Sequence, residues 1–215
     1  MDHYARVAWQ RSLEDARNVI DIHGAVRQDP GRRYEETSLN AAAVVLAVAA
    51  WQAFVEFQIR RWLSRLEPQA GWYDDDEAGQ RLQTADAARY QVWRAQVLQA
   101  VLNFNTPNSQ NTRRLFQMVG IDPYPAWTWS TRTGDVTPTM AARRLDEWLS
   151  VRHAIAHGDV DLPEVDVLAR TSSGRPTLWR KNAESCISLM DRLATATASL
   201  GPEATVDELV ELATH

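Results

Sequence analysis

The apolar positions of the chain fall into stretches with helical spacing, and no strand-like alternation runs beyond a few residues. The first stretch, 2–28, sets Tyr4, Ala8, Ala16, Val19, Ile20 and His23 near one side and stops before Asp29-Pro30-Gly31, a helix-breaking run. The second, about 39–66, is the most apolar and carries two seams. Leu39, Ala43, Leu46, Ala50 and Phe57 form one, and Val44, Val48, Trp51, Val55, Ile59 and Trp62 form the other. A helix apolar on two sides is surrounded by neighbours, so this segment is expected at the centre of the fold, capped by Thr37 or Ser38. Its polar side is periodic too: Gln52, Glu56, Arg60 and Ser64 recur every four residues, with Glu56 ahead of Arg60 in the favourable order for a pair. Such a column is either a solvated stripe or the wall of a site, which makes Glu56 and Arg60 candidate substrate-binding or orienting residues.

Further along, an acidic run at 74–77 lacks the alternating oxygen ligands of a calcium loop and reads as a solvated connection. A third helix, about 82–104, brings Tyr90, Trp93, Val97, Val101 and Phe104 to one face. Asn108 or Ser109 then caps a short helix, 110–119, stopped by Gly120. The segment 122–137 holds two prolines with Trp127 and Trp129, which either stack on nucleic-acid bases or anchor an ordered loop on the core. Thr137 and Pro138 open the next helix, as cap and first-turn residue. A polar connection, 159–176, leads to a last core helix, 181–200, that buries Ala183, Ile187, Met190, Leu193 and Thr197. These elements predict an all-α protein: one helical-bundle domain over 1–215 with additional short helices, a core at about 39–200, and an acidic tail or short helix at 201–215.

Composition narrows this picture in three ways. A chain of 215 residues suffices for one sizeable core. A net charge of -5 excludes a surface basic all over and leaves room only for a local basic groove. All basic residues but Lys181 are Arg, which either supplies forks matched to phosphate or reflects coding bias. A single cysteine, Cys186, permits no internal disulfide and no Cys-based zinc site of its own. Met1, Asp2, Arg6 and Arg11 open the chain without the apolar segment of a secretory signal, so a cytoplasmic protein is expected. The unbroken apolar run 41–51 falls short of the roughly 20 residues that cross a bilayer, so no membrane is expected as partner.

The helix opened by Pro138 contains the anomaly. At roughly 100° per residue, Leu145, Trp148, Leu149, Ile155 and Ala156 gather on one side, and Arg152 falls among them. Arg is almost never buried unpaired, so Arg152 should meet a buried carboxylate, a ligand phosphate or a second protein surface. His153 and His157, four apart, share another side. They have the spacing of a zinc helix without its Glu, and no third ligand stands out. Gly158 ends the helix and leaves His157 in the last turn, where exposed carbonyls favour a cation.

Arg152 followed five positions later by His157, with His153 next to the Arg and Ile155-Ala156-His157-Gly158 at the end, resembles the Arg-to-His motif of the HEPN superfamily. The order Trp51-Gln52-Ala53-Phe54-Val55, Phe104-Asn105-Thr106-Pro107, Leu115-Phe116 and Gly120 is similar to that of the RiboL-PSP-HEPN branch, so the likeness covers 39–200. The chain departs from the common pattern in having His153 where Asn or Asp is usual and Gln52 where relatives often have Glu. The resemblance implies a HEPN-like helical bundle acting as an endoribonuclease on single-stranded RNA, without metal or cofactor. It implies a homodimer whose composite site takes catalytic Arg152 and His157 from both copies, with His153 orienting or binding substrate. A toxin-antitoxin or antiphage defence role, with an antitoxin protein as partner, is implied on the same ground. The other reading is a catalytically silent HEPN module that binds nucleotide, RNA or a partner protein.

Overall fold

A 32-residue helix, α2 (Tyr34–Arg65), runs through the middle of the computed structural model, which describes residues 3–25, 34–65, 77–201 and 208. The second predicted seam is the buried one: Val44, Val48, Trp51, Val55, Ile59 and Trp62 are all at most 1% exposed. The first seam is only partly covered, since Leu46 reaches solvent. By length and composition 37–65 would pass as a membrane-crossing helix, but half of its most apolar window is buried within the protein. Packing against other helices accounts for the buried half of that window.

Those neighbours are α1 (His3–Ala25), α5 (Pro138–His157) and α6 (Arg180–Ala198). Helices α1, α2 and α6 touch one another, as do α2, α5 and α6, so α2 and α6 form the shared centre. The core takes in more of the N-terminus than the sequence suggested: Trp9, Leu13, Ala16 and Ile20 of α1 are buried, with Val19 at the edge. Tyr4, Ala8, His23, the acidic run at 74–76 and most of the tail at 201–215 lie outside the residues whose side chains are described. A carboxylate fixes the pairing of the end helices, because Asp191 on α6 accepts from the Trp9 indole at 3.1 Å and from Arg17 at 3.2 Å.

Thr37 and Ser38 lie inside α2, not at its start, because the helix already begins at Tyr34. Two shorter-range helices complete the set, α3 (Glu77–Leu102) and α4 (Ser109–Gln117), which pack on α2 and on each other. Asn108 caps α4 by accepting from the Asn111 N–H at 2.7 Å, and the chain leaves through Gly120 at φ 73°. The aromatic segment that follows is more regular than a loop. A 3-10 turn (Tyr124–Ala126) precedes an antiparallel hairpin of β1 (Trp129–Thr131) and β2 (Gly134–Val136), with Trp129 opposite Val136. Between α5 and α6 a second small hairpin pairs β3 (Ala169–Arg170) with β4 (Pro176–Thr177). The described residues thus form an all-α fold with two marginal hairpins.

Three indoles fasten the irregular stretch to the helices. Trp51 donates to the Pro107 carbonyl and Trp93 to that of Met118, each at 3.1 Å. Trp127 is fully buried, lies edge-on to Trp51 and donates to the Thr197 hydroxyl at 3.0 Å. That settles the choice at Trp127 in favour of an anchor, because a ring with no exposed face offers nothing for a base to stack on. Cys186 is buried on α6, and burial pushes its thiol well above the usual range because the thiolate would be desolvated.

Candidate functional site at the end of α5

Helix α5 is bounded as its sequence requires. The Thr137 hydroxyl accepts from the Met140 N–H at 3.3 Å, and Pro138 fills the first turn, where its missing N–H costs nothing. At the other end Gly158 adopts φ 70° and ψ 31°, the left-handed conformation that L side chains disfavour. Its N–H reaches the Ala154 and Ile155 carbonyls, and Asp159 N–H bonds Ala154 O at 3.0 Å. The helix therefore stops immediately after His157.

Along most of α5 the buried face runs through Ala141, Ala142, Leu145, Trp148 and Leu149. Arg152 continues that line, but the last turns bury Val151 and Ala154 instead, so the packed face swings aside before the helix ends. Arg152 is left half-buried at the edge of the bundle, and Ala156 is exposed, contrary to its expected place in the stripe. The Arg152 Nε is shielded from solvent and has no hydrogen-bond partner. Among the described residues no carboxylate pairs with Arg152, which removes the first of the three expected partners. An unsatisfied buried donor costs about 1–3 kcal/mol, more when charged.

His153 and His157 are both exposed, with ring centroids 4.2 Å apart and planes tilted by 51°. They share a face with Asp146, which lies seven residues before His153. Asp146 is engaged, accepting from Ser109 N and Ser109 Oγ, both at 2.7 Å, so it fixes the start of α4. No third His, Cys, Asp or Glu joins the two imidazoles among the described residues. Chemically, two imidazoles can take and give protons near neutrality, and a guanidinium can hold a phosphate. One copy does not bring all three to a point: on an ideal helix Arg152 and His157 diverge by about 140° and sit about 7.5 Å apart along the axis.

The α2 column makes its own contacts. Gln52 donates to Glu56 at 3.1 Å and to the Phe104 carbonyl at 2.7 Å, so Glu56 helps hold the turn after α3. Arg60 is exposed, and no Glu56–Arg60 ion pair forms. Neither residue forms a hydrogen bond or ion pair with Arg152, His153 or His157.

Sequence reasoning passed over a cleft of about 410 Å³ between α5 and α6, on the side of α5 away from the histidines. Trp129 of β1 stands at its edge, and Arg143, Arg144 and Arg192 line it. The i, i+3, i+7 spacing of Ser185, Ser188 and Arg192 on α6 is the one signal in the sequence that marked this face. Compared with known protein families, curated proteins and solved structures, the chain shows no match.

Proposed function

We propose that the protein is a metal-independent endoribonuclease of the HEPN type, acting on single-stranded RNA at a site completed by two copies of the α5 terminus. The observation that carries this reading is Arg152: a half-buried guanidinium whose Nε has no partner, on the helix that presents His157 at its last turn. A phosphate from RNA and the surface of a second copy together supply what the single chain lacks.

In this mechanism His157 of one copy accepts the proton of a ribose 2′-hydroxyl, whose oxygen then attacks the adjacent phosphorus. The phosphorus–5′-oxygen bond breaks, and the partner subunit's His157 donates a proton to the leaving oxygen. Arg152 holds the charge that accumulates on the phosphorane oxygens. His153, in ring contact with His157, orients it or contacts the RNA. The products carry a 2′,3′-cyclic phosphate and a 5′-hydroxyl. An activity of this kind, in the cytoplasm, fits a toxin or antiphage role held in check by a neutralising protein.

The test is cleavage of single-stranded RNA by purified protein in EDTA. Full activity with chelator is expected, together with dimers in light scattering at micromolar concentration. Cleavage that survives both Arg152→Ala and His157→Ala overturns the mechanism, loss in EDTA points to metal chemistry, and a monomer contradicts the composite site. RNA that is bound but never cut makes the protein a silent binding module.

A further inference from the structure

The cleft between α5 and α6 has its own balance of charge. Three guanidiniums line it, and its two carboxylates are already engaged. Arg143 bonds Asp166 at 2.6 Å and lies 3.6 Å from Glu147, which also accepts from the Val167 N–H at 3.2 Å. Those contacts build the wall. Arg144 and Arg192 form no ion pair with any described carboxylate, so two full positive charges face the cleft on a protein of net charge -5. Ser185 and Ser188, exposed on the same face of α6 as Arg192, add hydroxyl donors. Trp129 is half-buried, with the Arg192 guanidinium carbon 5.8 Å from its ring centroid.

We propose that this cleft binds a nucleoside phosphate, at a site separate from the end of α5. The base slides between Trp129 and the Arg192 guanidinium, as bases stack on aromatic rings and guanidinium planes. Two van der Waals layers need about 7 Å, so Arg192, an exposed and flexible side chain, has only to swing outward by about 1 Å. The phosphate then meets the Arg144 fork, with Ser185 and Ser188 donating to its remaining oxygens. The volume of about 410 Å³ is that of a small-molecule site. Neither free phosphate nor a bare aromatic ring uses the whole arrangement; a nucleotide does. The inference does not depend on the catalytic reading of Arg152 and His157.

Isothermal titration of the full chain with AMP, GMP and inorganic phosphate, and separately with a hexauridylate bearing a 5′-phosphate, tests the site. Saturable binding is expected, with inorganic phosphate weaker than the nucleotides. Arg144→Ala and Arg192→Ala should each weaken binding about tenfold, the loss of one charge-assisted contact. Trp129→Leu should weaken the nucleotides and leave inorganic phosphate unchanged. Saturation by mononucleotides identifies a free nucleotide as the ligand, and saturation by the oligonucleotide alone identifies an RNA end, provided either depends on Arg144 and Arg192. A flat titration at millimolar ligand, or binding untouched in the folded Arg144→Ala/Arg192→Ala double variant, overturns the proposal. Repeating the titration with Arg152→Ala separates the two sites: binding persists there whether or not RNA cleavage exists.

Discussion

Apart from Arg144, which faces the cleft without an ion pair among the described residues, the two halves of α5 treat charge in opposite ways. In the first half Arg143 ties to Asp166 and Glu147, Glu147 reaches back to Val167 N–H, and Asp146 holds both polar groups of Ser109. In the last two turns Arg152 has a buried nitrogen with no hydrogen-bond partner, and the two exposed imidazoles lie in ring contact with each other. Paired groups position the neighbouring elements; unpaired ones lower stability and are retained where they meet something outside the chain. The contrast separates residues that build this helix into the fold from residues that the fold presents.

The largest effect expected from this contrast is on catalysis without stability. Arg152→Ala and His157→Ala should each reduce RNA cleavage by about 10²–10⁴-fold, yet neither should lower the unfolding free energy, and Arg152→Ala should raise it by about 1 kcal/mol because an orphaned buried donor is removed. A variant that loses both together would put Arg152 among the structural residues. Asp146→Ala should do the reverse, because it strips two short hydrogen bonds from the start of α4. A loss of about 2 kcal/mol in urea unfolding is expected, and an unchanged midpoint would remove the distinction between the halves. The smallest effect belongs to Gly158→Ala. A Cβ there meets open space, so only backbone strain at φ 70° remains, about 1 kcal/mol in thermal unfolding. Cleavage should fall with it, since the last turn carries His157.

How far the sequence could be read followed the range of the interactions. Period and caps are local, so the helices, the Asn108 and Thr137 caps and the Gly158 stop were legible in it. Of the two seams on α2, the one containing Trp51 and Trp62 is the core, and the other loses Leu46 to solvent. Periodicity alone could not rank them, since the choice depends on where α1, α5 and α6 dock. The site shows the same limit. Arg152 was legible as an anomaly on an apolar stripe, because a charge is out of place there whatever packs nearby. The turning aside of the packed face at Val151 and Ala154 was not, for it needs the positions of other helices. The column of Glu56 and Arg60 could be read two ways because the group that shares the Gln52 amide with Glu56, the Phe104 carbonyl, comes from a turn 48 residues after Glu56. The cleft was hidden most fully, as β1, α5 and α6 each bring residues that are unremarkable alone.

Asp191 adds a constraint in time. It joins α6 to Trp9, 182 residues earlier, and to Arg17, so α1 and α6 close on each other. During synthesis α1 and α2 can pair as soon as both have emerged, at a few residues per second or faster. The indole of Trp9 and the guanidinium of Arg17 must wait until Asp191 has left the ribosome. The helix end bearing Arg152 and His157 emerges before that closure, on a bundle still missing α6, one of its two central helices. A bundle built in this order acquires its finished scaffold only once α6 has been made.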